Sequence, residues 1–274
     1  MIELNNFSFA YRNNKVFEGI NLQFERGAIY GLLGENGVGK TTLLKAISGL
    51  LRPGDGSCIV DGRASFDRQP GFLSSIFFLP DDMPLPDNAT PITFFRLRAP
   101  FYPNQDEQRL WHLASEFNID VNRRFAQMSF GQQKKSLLAC SLALRTDYLL
   151  LDEPTNGLDI PSKADFRRIM TECVDEHQTV IVSTHQVKDV ENLIDPIIII
   201  SNNSVMLNAS VEEITKRLYF DYSSEQRVGA LYSEMIPGGW INVVENDGRG
   251  ESRIDIEALF NAVLRNADRV KNLF

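Results

Sequence analysis

The run Ile29-Tyr30-Gly31-Leu32-Leu33-Gly34-Glu35-Asn36-Gly37-Val38-Gly39-Lys40-Thr41-Thr42 decides how this chain is read. An apolar strand, Ala28 to Leu33, leads straight into a loop of the form G-x-x-x-x-G-K-[ST], Gly34 to Thr41. A helical pattern from Thr41 to Leu51 follows and is closed by Arg52-Pro53-Gly54. Glycines let consecutive backbone N–H groups turn inward around phosphate oxygens. Lys40 then supplies a positive charge near a β or γ phosphate, and Thr41 offers a hydroxyl to Mg²⁺. Glu35, Asn36, Val38 and Thr42 complete the cradle, and the helix behind it adds the positive end of its dipole.

A phosphate cradle of this kind needs acidic partners. Tyr148-Leu149-Leu150-Leu151-Asp152-Glu153 provides them, as a buried apolar strand with two carboxylates at its C-terminal end. Asp152 is placed to contact Mg²⁺ through water, and Glu153 to polarise the attacking water as general base. Neighbouring strand residues point to opposite faces, so the backbone must turn at the strand end to bring both into one cleft.

Around these two motifs the pattern alternates. Ile2 to Arg26 reads as an antiparallel hairpin turning at Asn13-Asn14, and Gly56 to Phe66 as a further β-like stretch. Ser75 to Leu79 is a short strand ended by a Pro/Asp-rich loop, Pro80 to Pro86. Helical periodicity dominates from Pro91 to Leu144, as in Leu110, Leu113, Ala114 and Phe117. Tyr148 to Leu151, Thr179 to Ser183 and Ile197 to Ile200 are strands set between helices. The fold class is therefore α/β with a mainly parallel core sheet. After about Asn208 the character changes to a small α+β tail with a turn at Pro237-Gly238-Gly239.

Composition narrows the function. The 274 residues carry a net charge of −8, which argues against a dedicated nucleic-acid binder. Cys58, Cys140 and Cys173 lack metal-ligand spacing and read as reduced thiols in a reducing compartment. The N-terminal stretch has no apolar run of signal-peptide length. The run Ile197 to Ile200 is far below the ~20 residues of a membrane span. A soluble chain is expected, with any membrane role requiring a partner.

Taken together, the residues from about 2 to 210 resemble the ATP-binding-cassette (ABC) ATPases, and further motifs follow in that family's order. Tyr11 lies where the family has an aromatic that stacks on adenine. Pro80-Asp81 falls at the metal-sensing loop, which makes Asp81 a metal ligand by resemblance. Met128-Ser129-Phe130-Gly131-Gln132 looks like the family signature LSGGQ. Its Ser129, Gly131 and Gln132, at a helix start, would meet the γ-phosphate held by a second cassette. Asp159, in Pro154 to Asp159, matches the dimer-contact loop, and His185 the switch histidine.

The resemblance implies a P-loop NTPase cassette over residues 1–210, with an N-terminal antiparallel β subdomain and a helical subdomain at about 87–144. Residues 211–274 would be a small α+β extension. It implies an ATPase using ATP and Mg²⁺, with catalytic Glu153 and His185. The cassette would work as a homodimer or with a related chain. Phe101-Tyr102-Pro103-Asn104 before the signature looks most like bacterial ABC-2-type exporters, which pair with a separate membrane permease at the inner face of the cell membrane.

Two positions depart from the family pattern: Phe130 stands for a glycine, and Asp81 for a neutral glutamine. Phe94, Phe95, Phe101 and Tyr102 read as helix packing, with a groove for a membrane partner as the alternative. Lys134-Lys135 and Arg123-Arg124 read as solvated faces. The other reading is a non-transport cassette acting on a ribosome or nucleic-acid complex. Ribosome-acting cassettes usually carry two cassettes and a charged linker. Chromosome cassettes carry a coiled-coil arm, for which the span from Asp82 to Ser129 is too short.

Overall fold

The all-apolar strands form because both of their faces are covered, so an alternating pattern would be wasted on them. In the computed structural model, which describes all residues from Met1 to Phe274, the chain opens with a hairpin of β1 (Ile2–Tyr11) and β2 (Asn14–Phe24). The strand β3 (Ile29–Leu33) feeds the glycine loop and α1 (Lys40–Ile47). Next come β4 (Asp55–Val60), β5 (Arg63–Ala64), the single turn α2 (Pro70–Leu73) and β6 (Ile76–Leu79). A helical region follows: α3 (Pro91–Arg98), α4 (Glu107–Glu116) and α5 (Phe130–Ala143). Then come β7 (Tyr148–Asp152), α6 (Ile160–Cys173), β8 (Thr179–Thr184), β9 (Ile197–Ser201) and β10 (Ser204–Ala209).

The central sheet has the order β10-β9-β3-β8-β7-β6, all parallel except the antiparallel edge strand β10. A separate antiparallel sheet, β2-β1-β4-β5, lies beside it. The period of two along the central strands sorts their side chains into two cores. Tyr148, Leu150, Ile181, Ile198 and Ile200 join Phe7, Phe17, Leu43 and Ile47 under the antiparallel sheet and α1. Leu149, Leu151, Val180, Val182, Ile197 and Ile199 face the other way, against Leu138, Phe166 and the helical region. Fully burying each such side chain contributes about 1.5–3 kcal/mol.

The chain ends with α7 (Val211–Arg217), β11 (Leu218–Ser223), β12 (Tyr232–Ile236), β13 (Gly239–Glu245), α8 (Ile256–Arg265) and α9 (Ala267–Lys271). Its sheet order is β11-β13-β12. The α+β character expected after Asn208 is present. Its buried Phe220, Val243 and Leu259 belong to the same core as Val187 and Ile199, so the tail is packed on the central sheet and does not close a core of its own.

Helix α1 stops at Ile47, four residues earlier than its pattern suggests. Gly49 takes a left-handed φ of +72°, and a Cβ there would sit 2.2 Å from the Ser65 carbonyl oxygen. A glycine just past the last turn is the usual helix stop. No helix is long and apolar enough to cross a membrane.

Candidate active site

Strand order places the chemistry. β8 lies between β3 and β7, so three adjacent parallel strands deliver their C-terminal loops to one edge of the sheet. That edge is where open α/β sheets bind ligands. From β3 comes the glycine loop, from β7 the pair Asp152 and Glu153, and from β8 Thr184 and His185. They open on a cavity of about 330 Å³ lined by Tyr11, Asn36, Gly37, Gly39, Lys40, Thr41, Thr42, Asp81, Asp152 and Glu153, among others.

Gly39 has a φ of +112°, and a Cβ there would meet Val16 Cγ1 at 2.6 Å and Phe17 at 2.9 Å. Only glycine lets the loop press against the hairpin and still turn its N–H groups outward. Glu35, Asn36 and Gly37 are exposed, Val38 and Gly39 half-buried, and Gly34 buried. The Lys40 ammonium is buried and donates to the carbonyls of Gly34 at 2.7 Å and Glu35 at 3.1 Å. It also lies 3.6 Å from the Glu153 carboxylate. Burial lowers its pKa, and the charges of Glu153 and Asp152 partly offset this. A bound triphosphate would supply a stronger anionic partner at the same place.

Thr41 donates its hydroxyl to Asp152 at 2.6 Å, and Ser183 bonds the other Asp152 oxygen. A hydroxyl and a carboxylate side by side are hard oxygen donors of the type Mg²⁺ takes. Glu153 follows with a left-handed backbone, φ +46°. That bend answers the geometric problem of two adjacent strand residues, since it swings both carboxylates to the same cleft. A non-glycine residue there costs about 1–2 kcal/mol. The surroundings hold it: its N–H donates to the Ser183 carbonyl at 2.9 Å. Its carboxylate accepts from Thr184 Oγ1 at 3.1 Å and from the His185 N–H at 3.2 Å, and pairs with His185 Nδ1 at 2.8 Å.

Tyr11 ends β1 with its ring 47% exposed at the cavity rim, where it packs edge-on against Phe9. Its hydroxyl is 3.5 Å from Thr42 Oγ1. An exposed aromatic at that position is free to stack on a base.

The remaining predicted residues sit on a different surface. Ser129, Gly131, Gln132 and Asp159 do not line this cavity. Ser129 caps α5 in a reciprocal capping box: its hydroxyl accepts from the Gln132 N–H at 3.3 Å, and Gln132 Oε1 accepts from the Ser129 N–H at 3.0 Å. Asp159 is exposed and caps α6 through the Ser162 N–H at 3.0 Å; the Ser162 side chain first, and then this N–H, hold its carboxyl below the usual range. The two caps are neighbours, because Gly131 approaches the Gly157 carbonyl.

One expectation is corrected here. Lys134 is not on a solvated face. Its side chain is only 3% exposed, and its ammonium donates to the Asp81 carboxylate at 2.7 Å and to the Asp81 carbonyl at 2.8 Å. Asp81, expected as an oxygen ligand for Mg²⁺, lines the cavity with its carboxylate bonded to Lys134 and to Asn156 Nδ2 at 3.2 and 3.3 Å. Helical spacing gave the signal for Lys134, which lies three, four and seven residues before the buried Leu137, Leu138 and Ser141. Ser183 and Thr184 were also missed as holders of the carboxylates, although a hydroxyl pair ending an apolar strand was visible. Arg123 and Arg124 are exposed as expected.

A family model described as ABC transporter matches residues 17–156. The ABC transporter ATP-binding protein NatA of Bacillus subtilis is 31% identical over 254 residues, covering 87% of this chain and 99% of that protein. The chain belongs to the ABC transporter ATP-binding family. Another relative of this cassette, ABC transporter ATP-binding protein YtrB of the same organism, is 30% identical and covers 78% of this chain and 73% of its own length. A solved structure of an ATP-binding subunit of an ABC transporter superposes with a TM-score of 0.72 at 26% identity, over 78% of this chain and 91% of that one. The cassette is thus an ATPase, the ATP-binding subunit of a transporter.

Proposed function

We propose that this cassette powers export through a separate membrane permease, which it meets at the inner face of the cell membrane, and that it acts as a pair of cassettes on ATP with Mg²⁺. The observation that carries the reading is a groove of about 810 Å³ between β6 and the helical region. Leu50, Leu73, Phe77, Phe78, Phe101 and Tyr102 line it, with Arg68 and Arg98 beside them. Leu50 is 51% exposed and Phe101 72% exposed. Adjacent exposed apolar residues in a groove mark an interaction site, and a groove of this shape fits a short amphipathic helix from a permease loop. Phe94 and Phe95, by contrast, are core residues. Export is the reading supported by the SkfA peptide export ATP-binding protein SkfE of Bacillus subtilis, 29% identical over 79% of this chain.

In this reading Gly34 to Thr42 cradle the phosphates, Tyr11 stacks on adenine, and Thr41 and Asp152 hold Mg²⁺. The metal would draw charge from the phosphates when bound. Glu153 accepts the proton of the attacking water, and His185 orients Glu153. Ser129, Gly131 and Gln132, with Asp159, face the nucleotide of the second cassette. The exposed N-terminal turn of α5 suits an anion from outside the chain.

The test is co-purification of the permease from detergent-solubilised membranes with wild type and Phe101→Asp. The charged variant is expected to keep the ATPase rate of the isolated chain and lose the membrane protein. Retention of the permease at wild-type levels would remove the groove from the reading, and a ribosomal or nucleic-acid partner instead would replace it.

A further inference from the structure

The Lys134–Asp81 pair has no place in the reaction described so far, yet it sits at the wall of the phosphate cavity. Asp81 lines that cavity and its side chain is 38% exposed, so its charge faces whatever binds there. Lys134, on α5, reaches the pair from the protein interior at 3% exposure. A buried ammonium is costly without a counter-charge, and an unpaired carboxylate beside a triphosphate is repulsive. Asn156, two residues beyond the general-base candidate's neighbour Pro154, donates to both Asp81 oxygens. One carboxylate therefore ties together the loop after β6, the first turns of α5 and the loop after β7. The Phe130 ring lies over the pair, 5.9 Å from the Lys134 ammonium, and packs on Gly157.

We propose that Lys134 is a positioning residue for ATP binding and hydrolysis: it neutralises Asp81 at the cavity wall and so lets a carboxylate stand beside the bound triphosphate. The two charges form a functional unit. Removing the ammonium exposes the nucleotide to an uncompensated negative charge. Removing both charges together returns the wall to neutrality.

The experiment is a double-mutant cycle read as KM for ATP, kcat and thermal midpoint, with Lys134→Met, Asp81→Asn and both together. Lys134→Met is expected to raise KM about tenfold, the scale of one unscreened charge near another. Lys134→Met/Asp81→Asn is expected to bring KM back to within about threefold of wild type, although its thermal midpoint stays low. A residue that merely fills space would lower stability in both variants, and neutralising Asp81 would not restore KM. Additive effects on KM, or no KM change in Lys134→Met, overturn the proposal. Where Lys134→Met does not fold, Asp81→Asn alone decides. It leaves the ammonium uncompensated and should lower KM about two- to fivefold, and an unchanged or raised KM overturns the proposal.

Discussion

Replacing Glu153 by Gln separates binding from chemistry, because the amide has nearly the same shape as the carboxylate. Thr184 Oγ1 bonds one carboxylate oxygen at 3.1 Å and the His185 N–H the other at 3.2 Å, so the single amide oxygen keeps the His185 N–H while the amide NH₂ faces the Thr184 hydroxyl. The backbone bond from the residue 153 N–H to the Ser183 carbonyl at 2.9 Å is untouched. The left-handed turn at φ +46° is therefore retained. What disappears is a base for the attacking water. General-base contributions run from about 10² to 10⁴, or about 2.7–5.5 kcal/mol of barrier. Binding should respond in the opposite sense. The Lys40 ammonium lies 3.6 Å from Glu153, with side-chain exposures of 6% and 12%. At an effective dielectric of about 20 that pair is worth roughly 4–5 kcal/mol before desolvation is subtracted. Incoming phosphate competes for the same ammonium. Loss of the competitor leaves affinity unchanged or tightens it a few-fold, while turnover falls at least about a hundredfold. Titration with a fluorescent ATP analogue gives the first number, and phosphate release in a single turnover the second. If affinity and turnover fall in the same proportion, Glu153 is part of the framework and the base lies elsewhere.

In the Glu153→Gln background ATP with Mg²⁺ should bring two chains together, because the α5 N-terminus finds no phosphate in its own cavity; light scattering showing a strict monomer at saturating ATP would remove the second cassette. Burial pushes the Cys58 thiol up to about 11 from 9.0, with its bond to Ser65 opposing. The neutral thiol is favoured by folding, so this stabilisation is whole below about pH 9 and is lost as pH rises through about 11, a difference of about 2.7 kcal/mol. Urea midpoints of wild type minus Cys58→Ala between pH 8.5 and 11 measure it, and a pH-independent difference would contradict the burial argument.

Much of this site was legible because its parts carry local signals. The glycine loop, the acidic strand end and the serine before a helix each declare themselves within eight residues, and strand β7 is apolar from Tyr148 to Leu151 for a reason that burial on both faces explains. What the sequence did not carry was convergence. Nothing in Tyr148 to Glu153 says that Glu153 bends to φ +46°, since that conformation is imposed by hydrogen bonds from β8, a strand some thirty residues on. The end of α1 was missed although Gly49, left-handed at φ +72° just past the last turn, is a local stop signal, because the apolar Leu50 and Leu51 continue the pattern beyond it. Lys134 was misread by residue type: a lysine pair looks solvated until its helical phase against Leu137, Leu138 and Ser141 is counted.

The two departures from the family pattern make physical sense only together. An acidic residue at Asp81 would repel nucleotide on its own, and a phenylalanine at 130 would crowd a turn that glycine leaves open. In the fold, Lys134 meets both: its ammonium is bonded to Asp81 and lies under the Phe130 ring. Phe130 in turn occupies the space left by Gly157, where a Cβ would come within 2.3 Å of the ring. Each substitution is tolerable because a neighbour supplies the missing charge or the missing volume. Taking back one member alone should therefore cost more than taking back the set. Transfer of a single glycine or glutamine from a relative into this chain is for that reason no return to the family state.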